Sequence, residues 1–309
     1  MVSRSANDSF AALLIVGGLV AVIFLTGFVE HTRPPLPSGY EDEDAALNGS
    51  RLKGFAFGAE GLISDWYWMN SLQYIGKKVS TVGLNNLNLE DMTALNPRLL
   101  YPYLNSATDL DPHFVAPYSY GATILPAIDS RQAIALTEKG ISNNPDQWRL
   151  YQYLGYIYWR LGNYEKASET YGRGAQIPGS PIFMRMMSAR MKTEGGSRGI
   201  AREMYGQLLA EAEDERTRQN AELRLRELDS LDERDVIRAA LSDFRSSNND
   251  RCPANWSQLL PNLEKRSPPG LDLRIDRANN IVDPSGAPYL LNRETCSVEL
   301  GPDTKIPRQ

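Results

Sequence analysis

The sequence has few of the residues from which catalytic and metal centres are usually built. Its 309 residues include two histidines and two cysteines, too few for a multi-ligand site of the zinc type. No H-E-x-x-H, Walker A, G-x-G-x-x-G or C-x-x-C motif occurs. We therefore predict that the protein is not an enzyme and that it holds no cofactor and no metal.

An excess of positive charge is also missing. Lysine and arginine number 33 against 38 aspartates and glutamates, which gives a formal net charge of −5. A nucleic-acid interface needs a basic patch, so no nucleic-acid partner is expected. The mean hydropathy of −0.40 excludes a multi-span membrane protein, and the length suits about two domains.

One apolar run interrupts this average composition. Residues 10–29 read FAALLIVGGLVAVIFLTGFV, twenty residues without a charge, long enough for a hydrocarbon core of roughly 30 Å. A cleaved signal and a buried core helix are the alternatives. The run exceeds the usual signal core and lacks a small-x-small cleavage site. We therefore predict an uncleaved single transmembrane helix that contacts the lipid bilayer through residues 10–29.

The flanks of this run suggest a location. Arg4 precedes it and Arg33 follows it, and together with the α-amino group they favour an amino terminus inside the cell. The expected location is single-pass in a bacterial cytoplasmic (inner) membrane, with the bulk of the chain periplasmic. An even cysteine pair in an exported domain suggests a disulfide between Cys252 and Cys296. Two buried thiols in a cytoplasmic domain are the alternative.

Composition changes divide the chain into four parts. Residues 1–29 form the cytoplasmic tail and the transmembrane helix, and residues 30–55 form an acidic, proline-rich linker. Residues 56–232 are helical, and residues 233–309 form a smaller C-terminal part. Near the start of the helical part, Leu62, Trp66, Met69 and Tyr74 have the spacing of a packed helical stripe.

The clearest pattern is an internal repeat. Residues 148–181 read WRLYQYLGYIYWRLGNYEKASETYGRGAQIPGSP. Counted from Trp148, small residues fall at positions 8, 20 and 27 of a 34-residue unit, and large residues fall at positions 4, 7, 11 and 24. The segment resembles the tetratricopeptide repeat. In that arrangement the small residues let two antiparallel helices approach closely.

The same phase continues on both sides. Residues 114–147 and 182–215 place Gly121, Ala133, Ala189 and Ala201 at small positions. About three repeats are the minimum for a continuous stacked core. The predicted fold is therefore mainly α: a single transmembrane helix and a tetratricopeptide-like α-solenoid of about three repeats, followed by a small α+β module.

The resemblance implies a groove, lined by the first helix of each repeat, that binds segments of other proteins. Aromatic residues next to arginine also have the composition of binding hot spots. The alternative is that these side chains pack against the flanking helices and leave no open groove. The groove residues implied by the repeat positions are Tyr118, Arg149, Gln152, Tyr156, Trp159, Phe183, Met186 and Arg190.

The C-terminal part, residues 233–309, has a different character. A helix, a polar turn and a short proline-started helix precede the segment Asp283-Pro284-Ser285-Gly286-Ala287-Pro288-Tyr289. This order resembles the globular part of type II secretion pseudopilins, although the hydrophobic helix lies more than 200 residues away. We expect a small α+β module. An irregular tail folded over the last repeat is the alternative.

Two functions are compatible with these features. The first is a membrane-anchored, non-catalytic scaffold that binds or assembles proteins of the cell envelope through its repeats. The second is a permanent structural accessory subunit of a larger membrane complex, of the energy-converting or the secretion and pilus type.

Overall fold

The structure, a computed structural model, describes residues 3–32, 49–82, 87–268, 271 and 273–308. It divides into two compact units, Met1–Ala46 and Leu47–Gln309. The described residues are mainly helical, with short strands near the C-terminus. The predicted linker at 30–55 lies partly outside the described residues, at 33–48, while its end forms the short helix α2, Gly49–Leu52.

Helix α1, Ser3–Thr32, belongs to the first unit. In the described part of the chain, no helix has both the length and the apolar character needed to cross a membrane. The predicted transmembrane helix at residues 10–29 is therefore wrong, and so is the single-pass, inner-membrane, periplasmic location that depends on it.

The second unit continues with α3, Glu60–Val82, packed against α4, Leu100–Leu110. Tyr74 of the predicted stripe is buried, whereas Leu62, Trp66 and Met69 are 74%, 56% and 49% exposed, so the face of α3 that meets α4 matches the stripe only in part. The buried face also contains serines: the Ser64 hydroxyl donates to the Ala107 carbonyl at 2.8 Å. Small hydroxyl side chains allow the two helices to approach, which a search for large apolar residues does not detect.

Three antiparallel helix pairs follow α4 and stack in chain order, each packing on the next. The predicted units 114–147, 148–181 and 182–215 each contain one of these pairs. The helices are α5 Val115–Ile124 and α6 Ser130–Asn143, α7 Trp148–Arg160 and α8 Tyr164–Ala175, and α9 Phe183–Glu194 and α10 Arg198–Ala210.

Small residues lie where the paired helices meet. A Cβ atom added to Gly155 of α7 would lie 2.8 Å from the Tyr171 ring of α8, and one added to Gly174 would lie 2.7 Å from Tyr151. No larger side chain fits at these two contacts unless the rings move. Between the two helices Gly162 adopts a φ of +70°. Asn163 then caps α8 by accepting a hydrogen bond from the Lys166 backbone N–H.

Helix α11, Glu215–Ser247, is continuous through the predicted domain boundary at 232/233. Its first half packs on α10, where Arg202 pairs with Asp229 and with Asp232. Its second half carries Ile237 and Leu241 into the core of the C-terminal part. The boundary predicted from the change in composition thus lies inside one helix that serves both parts.

The C-terminal part contains α12, Leu260–Arg266, and two antiparallel two-stranded sheets. The strands are β1 Arg274–Ile275 paired with β2 Ile281–Val282, and β3 Leu290–Asn292 paired with β4 Ser297–Glu299. Cys252 and Cys296 form a disulfide with their Cα atoms 5.6 Å apart. The bond links the loop after α11 to the β3–β4 hairpin.

Candidate functional site

Three of the predicted groove residues meet on the surface of the helical stack. The rings of Tyr156 and Trp159 on α7 are edge to face, with centroids 5.8 Å apart. The Arg190 guanidinium of α9 lies 5.3 Å from the Trp159 centroid, which is within cation–π range. Glu194 holds this arrangement in place: it accepts 2.7 Å and 2.8 Å hydrogen bonds from the Trp159 indole N–H and from Arg190 Nε.

Helical spacing explains why these side chains meet. Tyr156 and Trp159 are three residues apart on α7, and Arg190 and Glu194 are four residues apart on α9, so each pair shares one face of its helix. The turns that pack α7, α8 and α9 together bring the two faces side by side. The exposed fraction of Tyr156 is 41%, so part of this aromatic surface is open to solvent.

A cleft of about 520 Å³ lies next to the indole of Trp159. Its walls come from α7, α9, the start of α10 and Leu231 of α11. The Arg198 side chain lines it from α10 and pairs with Asp232 at 2.9 Å and with Asp235 at 2.6 Å. The cleft thus combines an aromatic wall with charged groups that are already neutralised by partners.

A second group of predicted residues lies at the other end of α7. The Trp148 and Phe183 rings are edge to face at 6.1 Å, and the Arg149 guanidinium lies 4.6 Å from the Trp148 centroid. Phe183 is 36% exposed, and Arg149 is exposed. Gln152, between the two groups on α7, is half-buried.

Two predicted groove residues have a different environment. Met186 of α9 is half-buried and packs against the apolar cluster between α9, α10 and α11. Tyr118 of α5 is fully buried, so it lines no exposed surface. A Cβ atom on Gly140 would lie 2.8 Å from the Tyr118 ring, just as Gly174 meets Tyr151 in the next pair. Tyr118, at position 5 of its unit, thus makes the contact that Tyr151 makes from position 4, although Gly121 of α5 keeps its small position close to Leu136.

Glu194 is a member of the Trp159–Arg190 cluster that the repeat positions do not identify. It lies outside the positions that the resemblance assigns to the groove, yet it contacts two of the groove residues. The signal that could have found it is its spacing, four residues after Arg190 on the same helix.

A buried polar cluster joins α11 to the C-terminal sheets. Glu233, whose side chain is 5% exposed, accepts a 2.7 Å hydrogen bond from the Tyr289 hydroxyl and lies 3.8 Å from Arg274. The Tyr289 hydroxyl is also 2.9 Å from the Ser230 hydroxyl. Burial, with a smaller contribution from the charges of Asp229 and Asp283, raises the pKa of Glu233 to about 7 against the lowering effects of the Tyr289 hydrogen bond and the Arg274 charge.

The candidate site presents two aromatic rings and a guanidinium, groups that are common in protein interfaces. Among the described side chains, no group of three or more His, Cys, Asp or Glu residues is arranged to hold a metal ion. No family model matches the chain, and no curated protein matches it.

Proposed function

We propose that the helical repeats form a protein-binding scaffold, with the groove centred on Tyr156, Trp159 and Arg190. The observation that carries the proposal is the partly exposed aromatic–arginine cluster beside a 520 Å³ cleft. Tryptophan, tyrosine and arginine dominate the residues that contribute most to protein interfaces. Their orientation is fixed before binding, so little conformational entropy is lost when a partner docks.

The contacts with Glu194 support this reading. Glu194 accepts hydrogen bonds from both Trp159 and Arg190, so the indole N–H has a partner and the guanidinium is held over the Trp159 ring. The exposed edge of Tyr156 then remains available. An aromatic surface held this way is a preformed contact area for an apolar side chain of a partner.

The test compares proteins captured from a lysate of the cells that produce the protein. Purified full-length wild type, Tyr156→Ala/Trp159→Ala and Leu62→Ala/Trp66→Ala are immobilised in equal amounts, and bound proteins are quantified by mass spectrometry. The second variant removes an exposed aromatic residue from α3, away from the groove. We expect at least one protein to be captured by wild type and by the α3 variant but about tenfold less by the groove variant.

The single variant Tyr156→Ala serves as a control for misfolding of the double variant, because it removes only a side chain that is 41% exposed. It should retain the thermal unfolding midpoint of wild type and still lose captured protein. Equal capture by wild type and by the groove variants would contradict the proposal, as would capture by wild type that does not exceed bare resin.

The exposed face of α3 favours a second candidate function, a permanent accessory subunit of a larger complex. Leu62, Trp66 and Met69 lie three or four residues apart and are all about half exposed or more, which is unusual for a contiguous apolar face. A protein held permanently on this face would be lost from the Leu62→Ala/Trp66→Ala variant and retained by the groove variant. The same capture experiment therefore separates the two candidates.

A further inference from the structure

Helix α7 has a one-sided charge. Its sequence WRLYQYLGYIYWR contains two arginines and no acidic residue. Arg149 stacks on the Trp148 ring at 4.6 Å, and Arg160 lies 3.4 Å from the Tyr156 hydroxyl. Among the described residues, neither guanidinium forms an ion pair with a carboxylate, although Glu90 exerts an attractive field on Arg160.

The two arginines belong to one stripe of the helix surface. Eleven residues separate them, which is close to three full turns, so both point to the same side, about 16 Å apart. Tyr156 lies on the same stripe between them, and Trp159 is next to it. The other arginine of the groove differs, because Arg190 is neutralised by Glu194.

We propose that this stripe binds an extended acidic segment of a partner protein, with two carboxylates about five residues apart and an apolar side chain between them. An extended chain advances about 3.3 Å per residue, so five residues span the roughly 16 Å of helix between the two arginine positions. Carboxylates form strong, bidentate hydrogen bonds with arginine. The apolar side chain of the segment meets the exposed ring of Tyr156.

The inference rests on the proposed function, because it assigns a partner chemistry to the same groove. Charge complementarity decides the occupant: a basic segment would be repelled at both ends of the stripe. The residue that gives the segment its register is Tyr156, since its ring lies between the two charges.

A library of random dodecapeptides displayed on phage tests the proposal. Selections are run against full-length wild type, Arg149→Glu/Arg160→Glu, Tyr156→Ala/Trp159→Ala and the control Arg216→Glu/Arg218→Glu. The control makes the same change in net charge at exposed positions of α11. Leading peptides are then labelled with fluorescein and titrated by anisotropy at low and high salt.

The wild type and the control should enrich peptides with Asp or Glu four to six residues apart. The charge-reversed α7 variant should bind them at least about tenfold more weakly and enrich Lys and Arg instead. Wild-type binding should weaken as salt rises. A wild-type pool without acidic excess, or one unchanged by the α7 reversal, overturns the inference.

Failure of the proposed function gives a different result. If the Tyr156→Ala/Trp159→Ala variant selects the same peptides with the same affinity as wild type, the groove is not the binding surface, and both ideas are wrong. If that variant loses the peptides while charge reversal has no effect, the groove is still the binding surface, and only the proposal of an acidic partner is wrong.

Discussion

Replacing Glu233 by Gln should make the protein more stable at alkaline pH. The carboxyl is buried between α11 and the C-terminal sheets and receives the hydrogen of the Tyr289 hydroxyl at 2.7 Å. Glutamine has nearly the same shape, and its side-chain oxygen can accept the same hydrogen. It carries no charge, so it removes the cost of burying an ion. Arg274 loses a partner, but its side chain is 49% exposed and remains hydrated.

The size and sign follow from the pKa of Glu233. It rises from 4.5 to about 7 on folding, and at about 1.36 kcal/mol per pKa unit the difference is roughly 3 kcal/mol. Because the folded-state pKa is the higher one, the folded protein binds more protons between these values. Wild-type stability therefore falls as the pH rises from about 4.5 to about 7, and the loss stays constant above that.

Urea unfolding followed by tryptophan fluorescence measures the effect between pH 4.5 and pH 8.5. Glu233→Gln and wild type should have similar free energies of unfolding near pH 4.5. The variant should be more stable by up to about 3 kcal/mol at pH 8. Glu222→Gln, on an exposed part of the same helix, should change stability by less than about 0.5 kcal/mol. A Glu233→Gln variant that is less stable than wild type at pH 8 would refute the reasoning.

Two further predictions concern packing and a half-buried ion pair. Gly155→Ala places a Cβ atom 2.8 Å from the Tyr171 ring and should lower the free energy of unfolding by about 1–3 kcal/mol. Gly206→Ala, with nothing within 4 Å of the added Cβ, should raise the free energy of unfolding by up to about 1 kcal/mol. If both alanine variants changed the free energy of unfolding in the same direction, the packing argument would be contradicted. Lys139→Met removes a 2.6 Å contact with Asp109 and should cost about 2 kcal/mol in urea unfolding. A loss under about 0.5 kcal/mol would show that water replaces the lysine there.

The helical stack was predictable because its contacts use local patterns. Gly155 on α7 lies opposite Tyr171 on α8, and Gly174 on α8 lies opposite Tyr151 on α7. The pattern of small and large residues therefore located α7 and α8 from the sequence. The same spacing placed Tyr156, Trp159 and Arg190 near one another, which the structure shows as ring and cation contacts.

Other features depend on information that periodicity does not contain. Tyr118 is buried beside Gly140 of α6, although its position in the repeat assigns it to the groove. The buried face of α3 includes Ser64 and Ser71, so a search for apolar residues placed only Tyr74 of the predicted stripe correctly. Glu233 and Tyr289 are 56 residues apart, a separation at which no local spacing predicts contact.

The uninterrupted course of α11 determines how the molecule can be divided. At 33 residues it is a rod of about 50 Å, with Leu228 buried against the repeats and Leu241 buried against the C-terminal sheets. A fragment cut at residue 232 would expose apolar surface on both products and break the helix at its middle. A fragment designed to fold on its own should therefore contain the repeats, the whole of α11 and the C-terminal sheets together.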